Sequence, residues 1–179
     1  MIEGQDLELV QQCLLGNQKA FESIVDKYQK PVFNVAYRIL NDTYEAEDIT
    51  QTVFIKAFDN LPKFNQRYKL FSWLYRIAIN EALNLQNSHK RNESLNERMV
   101  SRERTPEDIL FHKQTNQAVN EAINKLKSDY RTVIILKHFQ DCSYSQISEI
   151  LSIPEKTVKS RLFTARQQLK DILIKQYDK

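Results

Sequence analysis

At 179 residues the chain is long enough for one or two domains, and 41% hydrophobic residues suffice for packed cores. Two glycines, four prolines and no alternating runs of Val, Ile and Thr between turn residues argue against a sheet protein and for an all-α one. A net charge of +3 is too small to point to a polyanionic partner by itself, but the charges are unevenly spread: acids gather at Glu45 to Asp48, bases from His89 to Arg104 and again from Lys156 onward.

Other classes are excluded by what is missing. Cys13 and Cys142 are far apart and have no Cys or His at metal-ligand spacing, so both read as reduced thiols, with no metal or disulfide. No apolar run approaches the ~18 residues of a membrane span, and MIEGQDLELV lacks the features of a signal peptide, so a cytoplasmic protein is expected, with no membrane insertion. No Gly-rich phosphate loop or nucleophile constellation supports an enzyme or a cofactor. His89, His112 and His138 are scattered and read as surface or packing residues.

In chain order, residues 6 to 15 read as a short helix with Leu7, Val10, Leu14 and Leu15 inward and Gly16 ending it. A second helix follows Asn17, a cap residue, with Phe21, Ile24 and Val25 on its core side. Pro31 is expected to begin a third, through Val32, Val35, Ala36 and Ile39. Asn41 and Asp42 break the chain before a fourth helix, from about Tyr44 to Asn60, whose apolar stripe is Ala46, Ile49, Val53 and Ala57. Asp48, Gln51, Thr52, Ile55 and Asp59 share another side. Its acidic first turn suits the helix dipole, which does not account for Ile55 among polar neighbours; a protein-docking face does.

Leu61 to Lys69 reads as a basic loop carrying Lys63, Phe64 and Tyr68. The next helix, FSWLYRIAINEALNLQNSHKR, sets Phe71, Leu74, Ala78, Ala82 and Leu85 on one side and Trp73, Arg76, Asn80, Asn84, Asn87 and Arg91 on another. Taken alone, Trp73 is a partly buried core residue. The stripe as a whole has the chemistry of a single-strand reader, in which rings stack on bases, amides meet base edges and cations hold the backbone.

From Ser88 to Arg104 the periodicity fades into charge, as in a polar linker. Thr105, Pro106, Glu107 and Asp108 then supply a helix start, and that helix runs through Ile109, Leu110, Ala118, Val119, Ala122, Ile123 and Leu126. Ser128 caps the next, DYRTVIILKHF. The last stretch, SYSQISEILSIPEKTVKSRLFTARQQLK, reads as two helices and a tight turn, the first opening at Ser143 and the second near Pro154. Val158, Leu162, Ala165 and Leu169 make the buried face of the second. Lys156, Lys159, Ser160, Phe163, Thr164, Gln167 and Lys170 face outward, the side chains of a helix lying in a DNA major groove or of a plain solvated face.

With these segments in this order, AFESIVDKY, VFNVAYRILND, EAEDITQTVFIKAF, LFSWLYRIAINEAL, KSDYRTVIILKHFQDCSYSQISEIL and IPEKTVKSRLFTARQQL, nearly the whole chain resembles the extracytoplasmic-function (ECF) sigma factors of the sigma-70 family. The resemblance implies two small helical domains, residues 1–92 and 105–179, joined by a flexible polar linker, 93–104, that threads toward the polymerase active site. It gives Asp48, Gln51, Thr52 and Ile55 the clamp of the largest RNA polymerase subunit as partner. Lys63, Phe64, Trp73, Arg76, Asn80 and Asn84 would read the single-stranded −10 element, and Tyr144, Lys156, Lys159, Ser160, Phe163, Thr164, Arg166 and Gln167 the −35 duplex. It also implies an anti-sigma partner. This chain departs from the family pattern at Lys156, where Gly is usual, at Thr164, where Arg is common, at Thr52, where Glu is common, and in a less acidic linker. The competing reading is a helix-turn-helix regulator whose first domain senses a ligand or dimerises; it requires Trp73 and Asn80 to be buried. A third is a decoy that holds polymerase without reading DNA.

Overall fold

The computed structural model describes residues 2–95 and 117–177. Among these residues there are eight α-helices and no strand, as an all-α reading requires: α1 Ile2–Leu14, α2 Gln18–Leu40, α3 Thr43–Asn60, α4 Leu70–Leu95, α5 Gln117–Asn124, α6 Ser128–His138, α7 Tyr144–Leu151 and α8 Glu155–Tyr177, with a 3-10 turn at Leu61–Lys63. The chain divides into two compact units, one of Met1–Ala82 with Glu149–Ser152, the other of Leu83–Ser148 with Ile153–Lys179. The helix start at Thr105 to Asp108 lies outside the described residues, as does most of the expected linker; α4 itself continues to Leu95, past the point where charge replaces periodicity.

In the first unit Val10, Ile24, Val32, Val35, Ile39, Val53 and Leu74 are fully buried. At about 1.5–3 kcal/mol per large apolar side chain, this core is the main source of its stability. α1 is rotated from its expected setting. Val10 is buried as expected, but Leu7, Leu14 and Leu15 are exposed, and Asp6 faces inward instead. The cause is polar: Asp6 accepts a hydrogen bond from the Tyr28 hydroxyl at 2.6 Å and pairs with Lys27 at 2.5 Å, which fixes the Asp6 side of α1 against α2. Burial, with the Asp6 carboxylate beside it, pushes the Tyr28 phenol upward in pKa.

Pro31 does not begin a helix; it lies inside α2, which is continuous from Gln18 to Leu40. The buried row Ala20, Ile24, Tyr28, Val32, Val35, Ala36 and Ile39 runs unbroken across it. Burial along that row outweighs the one intrahelical hydrogen bond that a proline cannot donate. Asn17 stands at the N-cap position of α2, but its side chain donates to Gln12 at 3.3 Å rather than capping the helix. Asn41, left-handed at φ 59°, ends α2, and Asp42 caps α3 by accepting from the Glu45 N–H at 2.9 Å.

In the second unit Ala122, Ile123 and Leu126 meet Ile135, Leu136, Ile147, Val158, Leu162 and Ala165, all buried. The Arg131 guanidinium, buried among them, donates to the carbonyls of Asn124 at 2.7 Å and Leu126 at 3.1 Å and so holds the end of α5. Ser128 is the first residue of α6 rather than its cap, which is Lys127. α7 opens with a reciprocal capping box: Ser143 Oγ accepts from the Gln146 N–H at 3.1 Å and Gln146 Oε1 from the Ser143 N–H at 2.7 Å. Cys142 is 2% exposed, and burial pushes its thiol up to about 11.

Candidate nucleic-acid interface

Three surfaces carry the residues singled out in the sequence. On α3, Ala46, Ile49, Val53 and Ala57 are buried, which turns Asp48, Gln51 and Ile55 outward; Ile55 is 61% exposed and Thr52 half-buried. Lys56 is tied to Glu81 at 2.6 Å. The same face carries Phe58, 54% exposed, whose ring meets Phe21 edge-on at 5.0 Å. Phe58 escaped the sequence reading because an aromatic in a helix with an apolar stripe is ordinarily assigned to the core; its spacing of three from Ile55 was the available signal.

The second surface is a groove of about 320 Å³ lined by Lys56, Asn60, Lys63, Trp73, Ile77, Asn80 and Glu81. Its shape follows from the loop before α4. The 3-10 turn closes with the Phe64 N–H donating to the Leu61 carbonyl at 3.0 Å, and the Asn65 side chain accepts from the Arg67 N–H at 3.0 Å. This brings the Phe64 ring to 4.9 Å from the Trp73 ring, tilted at 37°. Leu74, Ala78 and Ala82 of α4 are buried, Asn80 and Asn84 exposed, Trp73 half-exposed. Lys63, Phe64, Trp73 and Asn80 are therefore brought together. Arg76 lies apart from them, its guanidinium 5.9 Å from the centre of the Tyr68 ring, and Asn84 continues the exposed row one turn along α4. Ile77 and Glu81 were left out of the expected stripe, although each stands next to it at helical spacing; a search for polar residues passes over Ile77.

The third surface is α8. Val158, Leu162 and Ala165 are buried and Leu169 half-buried, and Lys156, Lys159, Ser160, Phe163, Arg166, Gln167 and Lys170 are exposed, with Phe163 66% exposed and Thr164 half-buried. Arg161 pairs with Asp129 of α6 at 2.8 Å and steadies the helix. Tyr144 opens α7 with its ring 5.5 Å from Lys137 Nζ and 5.8 Å from Lys159 Nζ. The turn before α8 takes its left-handed residue at Ser152, φ 54°, and is closed by the Ile153 N–H donating to the Ser148 carbonyl and the Ser148 hydroxyl donating to the Ile153 carbonyl. Lys156 already lies within the first turn of α8. The Gly usual there in the family is thus not required for this turn.

Among the described residues no cluster of His, Cys, Asp and Glu could hold a metal ion, and no helix is long and apolar enough to cross a membrane. A helix-turn-helix with an outward cationic and polar face, in one chain with a helical unit that carries an aromatic, amide-lined groove, defines a helical DNA-reading protein with two separate reading surfaces. The family models described as Sigma-70 region 2 and Sigma-70, region 4 match residues 24–92 and 116–169. The chain is 35% identical to the ECF RNA polymerase sigma factor SigW of Bacillus subtilis over 173 residues, 90% of this chain and 92% of that protein. Its fold is similar to that of CnrH, solved in complex with the cytosolic domain of CnrY, with a TM-score of 0.75 at 23% identity over 94% of this chain and 97% of that one. It is also similar to the sigma factor RpoE of Bartonella quintana, solved with the anti-sigma factor NepR, with a TM-score of 0.70 at 24% identity over 87% and 97%. The chain belongs to the ECF group of the sigma-70 family. It is a promoter-specificity subunit of RNA polymerase, a transcription initiation factor that acts on promoter DNA together with the core enzyme.

Proposed function

We propose that the three surfaces divide the work of initiation. The outward side of α3, with Asp48, Gln51, Thr52 and Ile55, docks on the clamp of the largest polymerase subunit. The groove beside Trp73 takes bases from the unpaired strand of the −10 element: Phe64 and Trp73 stack, Asn80 and Asn84 meet base edges, and Lys63, with Arg76 outside the groove, holds phosphates. α8 lies in the major groove of the −35 duplex with Ser160, Phe163, Thr164 and Gln167 toward the bases, and Tyr144, Lys156, Lys159 and Arg166 toward the backbone. The two reading domains, residues 1–92 and 105–179, are joined by the linker 93–104. The protein catalyses no step itself, works in the cytoplasm, and is held inactive by an anti-sigma protein, as the partner of the Bartonella quintana relative suggests.

One observation carries this reading: Asn80 is exposed on a groove that it lines together with Trp73, whose ring meets that of Phe64. A sensing or dimerising domain needs Trp73 and Asn80 inside. A decoy has no use for Lys159, Ser160 and Phe163 in the open. The test is runoff transcription from a genomic fragment library with purified core polymerase and this protein. Promoter-specific transcripts only in the presence of both, and weak duplex binding by the protein alone, are expected; tight promoter binding without polymerase overturns the reading.

A further inference from the structure

The outward face of α8 has a cationic edge. At 100° per residue Arg166 stands between the buried row of Val158, Leu162 and Ala165 and the outward row of Ser160, Phe163 and Gln167. The end of α6 meets that edge, with Arg166 Nη2 3.4 Å from His138 Nε2. At the same corner Lys137 and Lys159 flank the Tyr144 ring, and Lys137 Nζ donates to the Cys142 carbonyl at 3.1 Å. The end of α6, the start of α7 and one edge of α8 thus form a rim of three basic side chains and one imidazole.

An arginine carries donors only and keeps its charge, so this contact is a hydrogen bond when the facing His138 nitrogen presents a lone pair, which is the neutral ring with its proton on Nδ1. The charged groups facing the ring are Arg166 from α8, Lys137 on its own helix and Asp141 from the turn after it. Burial first, then the Arg166 and Lys137 cations, hold the imidazole below its ordinary pKa, and Asp141 pulls the other way. A phosphate brought to the rim reverses that balance, because a nearby anion favours the charged ring.

We propose that His138 is a titratable phosphate contact of the duplex-reading surface: uncharged, it holds Arg166 against α6; charged, it releases Arg166, and both side chains bind the DNA backbone. This rests on the reading that α8 lies in a duplex. Binding then takes up a proton, and affinity rises as pH falls through the imidazole range.

The experiment uses holoenzyme assembled from core polymerase and the full chain. It is titrated against a short fluorescent duplex bearing the −35 element of a promoter recovered by runoff, and against a scrambled duplex. Salt series are run at about pH 5.5 and about pH 7.5, either side of the ordinary imidazole value of about 6.5. For the unmodified protein the slope of log affinity against log salt steepens at the lower pH by about 0.9 per phosphate gained. His138→Gln keeps the shallow slope at both pH values, and His138→Lys keeps the steep one. An unchanged pH response in His138→Gln, or equal slopes for the Gln and Lys variants, overturns the proposal. Retained discrimination between the two duplexes by a Ser160→Ala, Phe163→Ala protein overturns the reading of α8 instead, whatever the slopes.

Discussion

Asn80 and Trp73 border the same groove but offer different things to a strand, one an amide that discriminates base edges and the other a ring that stacks on any base. Asn80→Ala should therefore impair promoter opening and −10 selectivity, measured by permanganate reactivity of the melted strand, and leave affinity for core polymerase unchanged. Equal loss of both would sink the single-strand assignment. At α8 Ser160 and Phe163 are exposed, so Ser160→Ala with Phe163→Ala should leave the melting temperature in place. It should cost about 1–3 kcal/mol of −35 discrimination for each base that the helix no longer reads, measured as the ratio of affinities for matched and mismatched duplexes. Residue-scale legibility was good where a polar side chain stood on a helix with a clear apolar row. It failed for Leu7, Leu14 and Leu15, because the Asp6 carboxylate, a residue that hydropathy assigns to solvent, sets the rotation of α1 through Lys27 and Tyr28.

Among the helices, α2 bears the one interior proline of the first unit, and its buried row shows that the sequence carried the answer: residues 20, 24, 28, 32, 36 and 39 keep helical spacing straight through position 31. A proline weighed as punctuation hid a periodicity that was already present. Pro31→Ala restores the missing donor and should stabilise the protein by about 1–3 kcal/mol, measured by urea unfolding. A lower midpoint would mean that the proline relieves something in the packing. α3 makes a different demand. Its buried stripe of small and β-branched residues fixes which side faces out, so Asp48→Arg changes only the outward surface and should weaken association with core polymerase in a competition assay. Normal affinity would count against this docking face.

At the scale of the whole molecule, the all-α class and the order of its segments were legible because each helix writes its own period into the chain, and six motifs in succession constrain a family far more than any one of them. The groove beside Trp73 was only half legible. Lys63, Phe64, Trp73 and Asn80 could be named in advance, but Lys56, Asn60 and Glu81 enter it from another helix or from the edge of the stripe, and an ion pair between Lys56 and Glu81 has no signature in linear order. What a single helix presents can be read along the chain; what two helices enclose depends on how they pack.

The turn before α8 keeps its own shape apart from the charge carried at position 156. Its shape is set by Ser148, Ser152 and Ile153, so the side chain at 156 is free to vary without bending the motif. Lys156→Gly should lower duplex affinity and cost about 0.5–1 kcal/mol of stability, the ordinary penalty of glycine in a helix, while −35 discrimination stays the same; an altered base preference in a binding selection would show that the two properties are still linked. On the proposed reading of α8, position 156 is a gain control on binding strength: one substitution there strengthens or weakens the hold on every promoter without changing which promoters are recognised.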